Sequence, residues 1–149
     1  MLRKLHPIAG MIGFATIALF WLSTLAVEIA GGHGAVAAVK QAILWGMAVL
    51  IPALALTGIS GMKSLSGPAR GLAATKLRRM PIIAGNGILV LIPCAVFLHK
   101  KASAGSFDTV FYVVQAVELL AGAANLTLMG LNIRDGLRMT RRRRQVSKP

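Results

Sequence analysis

The segment VVQAVELLAGAANLTLMGLN, Val113 to Asn132, is apolar enough to cross a membrane, yet it carries Gln115, Glu118, Asn125 and Asn132. Together with Gly122 and Met129, these residues are spaced 3, 4, 3, 4, 3. At 3.6 residues per turn that spacing draws one narrow seam along a helix. An unsatisfied polar group in hydrocarbon costs several kcal/mol, on the order of a lost hydrogen bond or more. The seam must therefore face other helices, and the segment belongs to a bundle of spans.

The rest of the chain supplies the companions. Hydrophobic residues make up 56% of the 149 and charged residues 14%, with a mean hydropathy of +0.70, which is the composition of a lipid-embedded protein. Four runs almost free of charge, at about 7–29, 41–62, 80–98 and 109–133, each approach the ~20 residues an α-helix needs to span ~30 Å of hydrocarbon. Barrel strands would alternate polar and apolar over ~10 residues, and these runs do not. Helices satisfy their own backbone in lipid. The expectation is an all-α membrane protein, a single integral domain folded as an up-and-down four-transmembrane-helix bundle with a basic tail over 134–149. The first run is read as a retained span because no small-x-small cleavage site follows its apolar stretch.

Charge placement sets the orientation. Of the 17 basic residues, 14 precede the first run, lie between the second and third, or follow the fourth, leaving Lys40, Lys100 and Lys101 on the other side. The positive-inside rule then places both termini in the cytoplasm of a bacterial cell, the protein being multi-pass in the inner membrane. The tail RMTRRRRQVSKP is read as a topology anchor attracted to anionic lipid and not as a nucleic-acid binder. The expected partners are membrane lipid and either a second copy or another membrane protein. The one cysteine, Cys94, permits no disulfide within the chain and reads as a small apolar filler.

Glu118 lies nine residues into the fourth run, ~14 Å deep at 1.5 Å per residue. The available partners at that depth are Thr16, Ser23, Thr24, Trp45, Thr57 and Asn86, with Lys40 assigned to the outer loop. Glu118 is accordingly expected to be protonated and to donate a hydrogen bond. Asn86 and Asn125 fall at similar depth and are expected to pair. The seam serves as interhelical glue, or Glu118 with Gln115 and Asn125 binds a proton, a cation or a carbonyl group. Gly10, Gly13, Gly46, Gly58, Gly61, Gly85, Gly87 and Gly122 are read as close-approach positions between helices.

Two further features concern function. GMAVLIP, ending at Pro52, matches GILVLIP, ending at Pro93, and corresponding interruptions in oppositely directed helices can mark a carrier's binding site. Of the three histidines, His6 opens the first run while His33 and His99 lie at the opposite surface. His33 and His99 are candidate axial ligands of one haem, and His6 beside Gly10 and Gly13 is a candidate for a second arrangement with Met62, Met80 or Met129, or with the same histidine of a second copy. The helix count, the size and the opening LHPIAG resemble the small four-helix b-type cytochromes of bacterial membranes. That resemblance implies haem b, electron transfer and contact with quinone. The chain departs from the family in having no histidine within the second or fourth run. No HExxH, Gly-x-Ser-x-Gly or phosphate-loop context is present. The leading expectation is a non-enzymatic accessory, assembly or homo-oligomeric subunit, the alternatives being a haem b electron carrier and a proton- or cation-coupled carrier using Glu118.

Overall fold

Apolar runs of this length have one way to satisfy their backbone in lipid, and the computed structural model is helical accordingly. It describes the backbone of residues 2–63 and 71–146 and the side chains of 6–60, 71–72 and 74–140. In chain order α1 is Leu2–Ala30, α2 His33–Lys63 and α3 Leu72–Asn86; a π-helical turn Gly87–Leu91 leads into α4 Ile92–Ser103, and α5 is Thr109–Val146. The segment α3, π turn and α4 forms one continuous third span. Four helices are long and apolar enough to cross a membrane: His6–Ala30, His33–Ser60, Ala74–Ser103 and Thr109–Thr140.

The packing is an up-and-down ring. Phe20 meets Gly46 and His6 meets Thr57, so α1 and α2 run antiparallel. Trp21 reaches Leu119 and Gly13 lies by Met129, so α1 and α5 do the same, as do the third span and α5 through Asn86–Asn125 and Arg79–Asp135. The sequence of neighbours is α1, α2, third span, α5 and back to α1, and the described parts of both chain ends share one end of the bundle. Trp45, Leu19, Ile29, Leu89 and Leu120 are exposed on the outer surface. Such an apolar exterior suits a hydrocarbon solvent and would be a liability in water.

Several boundaries differ from those read in the sequence. The stretch EIAGGHGAVAAVK is a loop only at Gly31 and Gly32, and α2 begins at His33 instead of near 41. The third span starts at Leu72 and ends at Ser103, where 80–98 was expected, and the segment from 134 is helical to Val146 instead of forming a separate tail. The apolar run marks what lies in hydrocarbon, while good helix formers such as the Ala-rich turn after Gly34 carry the helix beyond it. The Gly67-Pro68 turn, the side chain of Met62 and those of the basic cluster 141–144 lie outside the described residues.

Small residues do what was expected at some positions. A Cβ on Gly46 would overlap Phe20 Cζ, and one on Gly122 would stand 2.9 Å from Trp21 Cδ1. Each glycine admits an aromatic ring from α1. Gly58 and Gly85 instead have no neighbour within contact distance among the described residues.

Two apolar clusters form the core. Val36, Leu98, Ala102 and Phe111 pack at the end away from the termini, and Ile17, Ile83 and Met129 pack toward the terminal end. The turn into α5 is capped by Asp108, whose Oδ1 accepts from the Phe111 N–H at 2.9 Å and whose other oxygen accepts from Lys101. These bonds, that from Lys101 foremost, hold the Asp108 carboxyl below the usual aspartate range.

Candidate functional site: the seam of α5 and the cavity beside it

The seam faces inward as the spacing requires. Gln115, Asn125, Met129 and Asn132 are buried, whereas Thr127, off the seam, is exposed and returns its hydroxyl to Ala123 O. One turn upstream the same line includes Phe111, and just beyond Asn132 it reaches Asp135, 1% exposed. Asp135 is therefore part of the interior.

At the end away from the termini, Lys40 Nζ lies 2.5 Å from Glu118 Oε2, with side-chain exposures of 0% and 12%. Gln115 Nε2 donates to the same oxygen at 3.0 Å. The expectation that no basic side chain lies at the depth of Glu118 is overturned. Because α2 begins at His33, Lys40 sits two turns inside the helix with Val36 and Ile43 on its buried stripe, and its ammonium meets the carboxylate. Glu28 of α1 interacts electrostatically with Lys40, Glu118 and His33, and its buried Oε1 has no hydrogen-bond partner among the described residues. Gln115 Oε1 is in the same position.

At mid-depth the expected amide pair is present. Asn86 Nδ2 donates to Asn125 Oδ1 at 2.9 Å and to Ala121 O at 2.8 Å, while Asn125 Nδ2 donates to Ile83 O at 3.4 Å. Asn86 is the last residue of α3 before the π turn, in which the Ile92 N–H reaches back five residues to Gly87 O. Pro93 follows directly and has no N–H to donate, so the wider turn spares its ring the clash with the preceding turn's carbonyl. The π turn is GILVL of the repeated motif, whereas the matching GMAVL before Pro52 remains α-helical. On the α1 side, Trp21 Nε1 donates to Leu119 O at 2.8 Å.

Toward the terminal end a second charged layer forms. Arg79 donates to Asp135 Oδ2 at 2.8 Å and to Asn132 Oδ1 at 3.4 Å, and Arg134 adds a longer contact to Asp135. Lys76 interacts electrostatically with Asp135 and donates from Nζ to His6 Nε2 at 3.1 Å. His6 Nδ1 lies 3.0 Å from Thr57 O and 3.1 Å from the Ser60 hydroxyl, so the Nδ1–H tautomer donates to the carbonyl.

These contacts bear on the histidines as haem ligands. Both ring nitrogens of His6 are engaged, the space left by Gly10 and Gly13 is filled by Thr57, Leu54 and Met129, and the Met129 side chain belongs to the apolar core. That arrangement does not fit a macrocycle. His33 stacks on Phe107 with ring centroids 4.0 Å apart and lies exposed, and His99 makes a long contact to Ser103 in its own helix. Among the described residues no cluster of three or more His, Cys, Asp or Glu is arranged to hold a metal ion.

Beside the seam lies a cavity of about 380 Å³. α2 packs against α4, but among the described residues it makes no comparable contact with α3 or the π turn, and the cavity fills the gap. Its walls are Leu50 and Leu54 of α2 and Ile88 and Leu91 of the π turn, and its floor is Trp21 and Thr24 of α1 with Glu118 and Gly122 of α5. The two VLIP motifs thus flank one space. Lys40, Glu28, Asp135, Lys76 and Arg79 were not read as partners of the seam. The signal for Lys40 was its position at i+4 from Val36 and i−3 from Ile43. No protein family, curated protein or solved structure matches this chain.

Proposed function

We propose that the chain is a non-enzymatic multi-pass protein of the bacterial cytoplasmic membrane, with both termini inside, that acts as an accessory, assembly or self-associating subunit. The observation that carries this reading is where the polar groups go. Most of the buried hydrogen-bonding side chains of α5 are tied to a different helix: Glu118 to α2, Asn125 and Asn132 to α3, and Asp135 to α3. The seam is thereby distributed as glue along the bundle and does not converge on one reaction centre. The placement of basic residues supports the orientation.

Photocrosslinking in native membranes tests it. Benzophenone-bearing residues introduced singly at Trp45, Leu89 and Leu120 are expected to give a protein adduct, either a second copy or another polypeptide, from at least one face. Lipid adducts alone at all faces count against a subunit role. Impermeant maleimide applied to a Cys94→Ser chain carrying cysteine at Ser106 or Arg138 reads the orientation, with labelling from outside expected only at Ser106.

A second reading, a proton- or cation-coupled carrier, is favoured by the Lys40–Glu118 pair and by the two interrupted motifs facing each other across the cavity. Reconstituted protein that acidifies or alkalises a vesicle lumen, with the flux abolished by Glu118→Gln, would replace the first reading with this one. The haem b alternative has less support from His6, and a Soret band in the purified protein that His33→Ala or His99→Ala removes would restore it.

A further inference from the structure

The cavity between α2 and the third span holds two polar groups that the protein itself leaves incomplete. Thr24 lines it, is 2% exposed and makes no hydrogen bond with the described residues. Glu118 also lines it, and both hydrogen bonds it receives fall on Oε2, leaving Oε1 without a donor among the described residues. A carboxylate oxygen beside an apolar space is costly unless something donates to it. The remaining walls are almost wholly apolar, and Ile51, Ile59 and Ile88 line the cavity while being 48%, 50% and 62% exposed. Those exposed residues mark a mouth that opens sideways, toward hydrocarbon. The volume falls in the range of about 300–1,000 Å³ typical of small-molecule sites.

We infer that this cleft binds an uncharged, lipid-soluble molecule carrying a hydroxyl group, which enters laterally between α2 and the π turn. The hydroxyl donates to Glu118 Oε1 and accepts from the Thr24 hydroxyl, while the apolar body fills the gap flanked by the two VLIP motifs. Charge selects the head group. Glu118 is already neutralised by Lys40, so a cation would meet the lysine and an anion the glutamate. A ketone, ether or ester has no proton to give and leaves Oε1 unsatisfied. The inference goes beyond the proposed subunit role and does not depend on it.

The test uses the full chain in phosphatidylcholine nanodiscs with Trp45→Phe, which leaves Trp21 in the cavity floor as the remaining tryptophan. The probes are 12-bromododecan-1-ol, whose bromine quenches indole fluorescence, its methyl ether and the matching trimethylammonium salt. Saturable quenching is expected from the alcohol at about tenfold lower concentration than from the ether, as a charge-assisted hydrogen bond gained by one and not the other predicts. Thr24→Val, nearly isosteric and neutral for folding in lipid, is expected to raise the alcohol's half-saturation about three- to tenfold and leave the ether's unchanged. Glu118→Gln does the same where it folds, and circular dichroism reports whether it does. Non-saturable quenching that is equal for alcohol and ether means simple partition into the bilayer and overturns the site. Tighter quenching by the ammonium salt, or no effect of Thr24→Val on the alcohol, overturns the assigned ligand class. Because the signal comes from isolated protein, its failure leaves the crosslinking result untouched.

Discussion

Removing Lys40 leaves a carboxylate in the bundle interior with no counter-charge, and the size of the penalty can be worked from the pair's geometry. At 2.5 Å and an effective dielectric of about 20, Coulomb's law gives a gross attraction of about 7 kcal/mol. Desolvation of two ions costs several kcal/mol each, so the intact pair contributes little net stability, whereas deleting one partner costs about 3–5 kcal/mol. Lys40→Met is therefore expected to destabilise the bundle by about 3–5 kcal/mol, and Glu118→Leu by a similar amount. The double variant Lys40→Met/Glu118→Leu is expected to recover to within about 1–2 kcal/mol of the parent, because neither charge is then buried.

The measurement is equilibrium unfolding in mixed detergent micelles, followed by circular dichroism and Trp21 fluorescence in a Trp45→Phe background. A double-mutant cycle isolates the coupling term. Coupling below about 0.5 kcal/mol, with Lys40→Met near neutral, would refute the reasoning, since it would mean that water or lipid head groups reach Glu118 and the pair is not desolvated.

Other outcomes follow from single contacts. Asn125→Leu removes the acceptor of one Asn86 Nδ2 hydrogen bond and the donor to Ile83 O, leaves the Asn86 bond to Ala121 O in place, and is expected to cost about 1–3 kcal/mol in the same unfolding assay, more than the ~0.6 kcal/mol average for a polar contact between membrane helices, because two interhelical bonds go at once. Gly122→Leu drives a side chain into Trp21 and is expected to destabilise by about 1–3 kcal/mol and blue- or red-shift the Trp21 emission, whereas Gly58→Leu, in open space, is expected to fold normally and fill the cavity. The Asp108 carboxyl is held low by Lys101 and the Phe111 N–H, so its contribution is present above the unfolded-state aspartate value and lost as pH falls through its lower folded value. Unfolding free energies of the parent and Asp108→Asn, measured against pH, should accordingly converge below that range and diverge above it. Arg79→Met is expected to loosen the terminal-end layer more than Arg138→Met, because Arg79, among the described residues, reaches Asp135 and Asn132 together.

The bundle was legible because the solvent constraint is severe: four apolar runs in lipid must be helices, and polar residues spaced 3 and 4 apart must face inward. Asn86 lies opposite Asn125, as their depths in the sequence require, since depth along a helix rises by a fixed amount per residue. The inward positions of Lys40, Lys76, Arg79 and Asp135 were hidden for one shared reason. The end of a charge-free run was taken as the end of the helix and of the interior, yet each of these residues sits one to three turns inside a longer helix and interacts with an oppositely charged group from another span. Which charge finds which partner is set by the rotation of one helix against the next, and no local pattern records that. The π turn was equally hidden, because GMAVL and GILVL are alike in composition and differ in the partner, Asn125, that sits beside Asn86.

The two charged layers also answer why a bundle this small carries ions at all. Apolar helices in lipid gain no hydrophobic effect from packing on each other, and stripes of Leu, Ile, Val and Ala fit in many registers and rotations of similar energy. An ion pair adds little to stability in the right arrangement but imposes a large penalty on every arrangement that separates it. Lys40–Glu118 near one end ties α2 to α5, Arg79–Asp135 near the other ties α3 to α5, and Asn86–Asn125 holds the middle. With three fixed points on α5, a slip of one turn in either partner helix would separate a charged pair by about 5.4 Å along the axis. The polar seam therefore specifies one alignment out of many, and it is that fixed alignment which keeps α2 and the π turn apart and the cavity between them open.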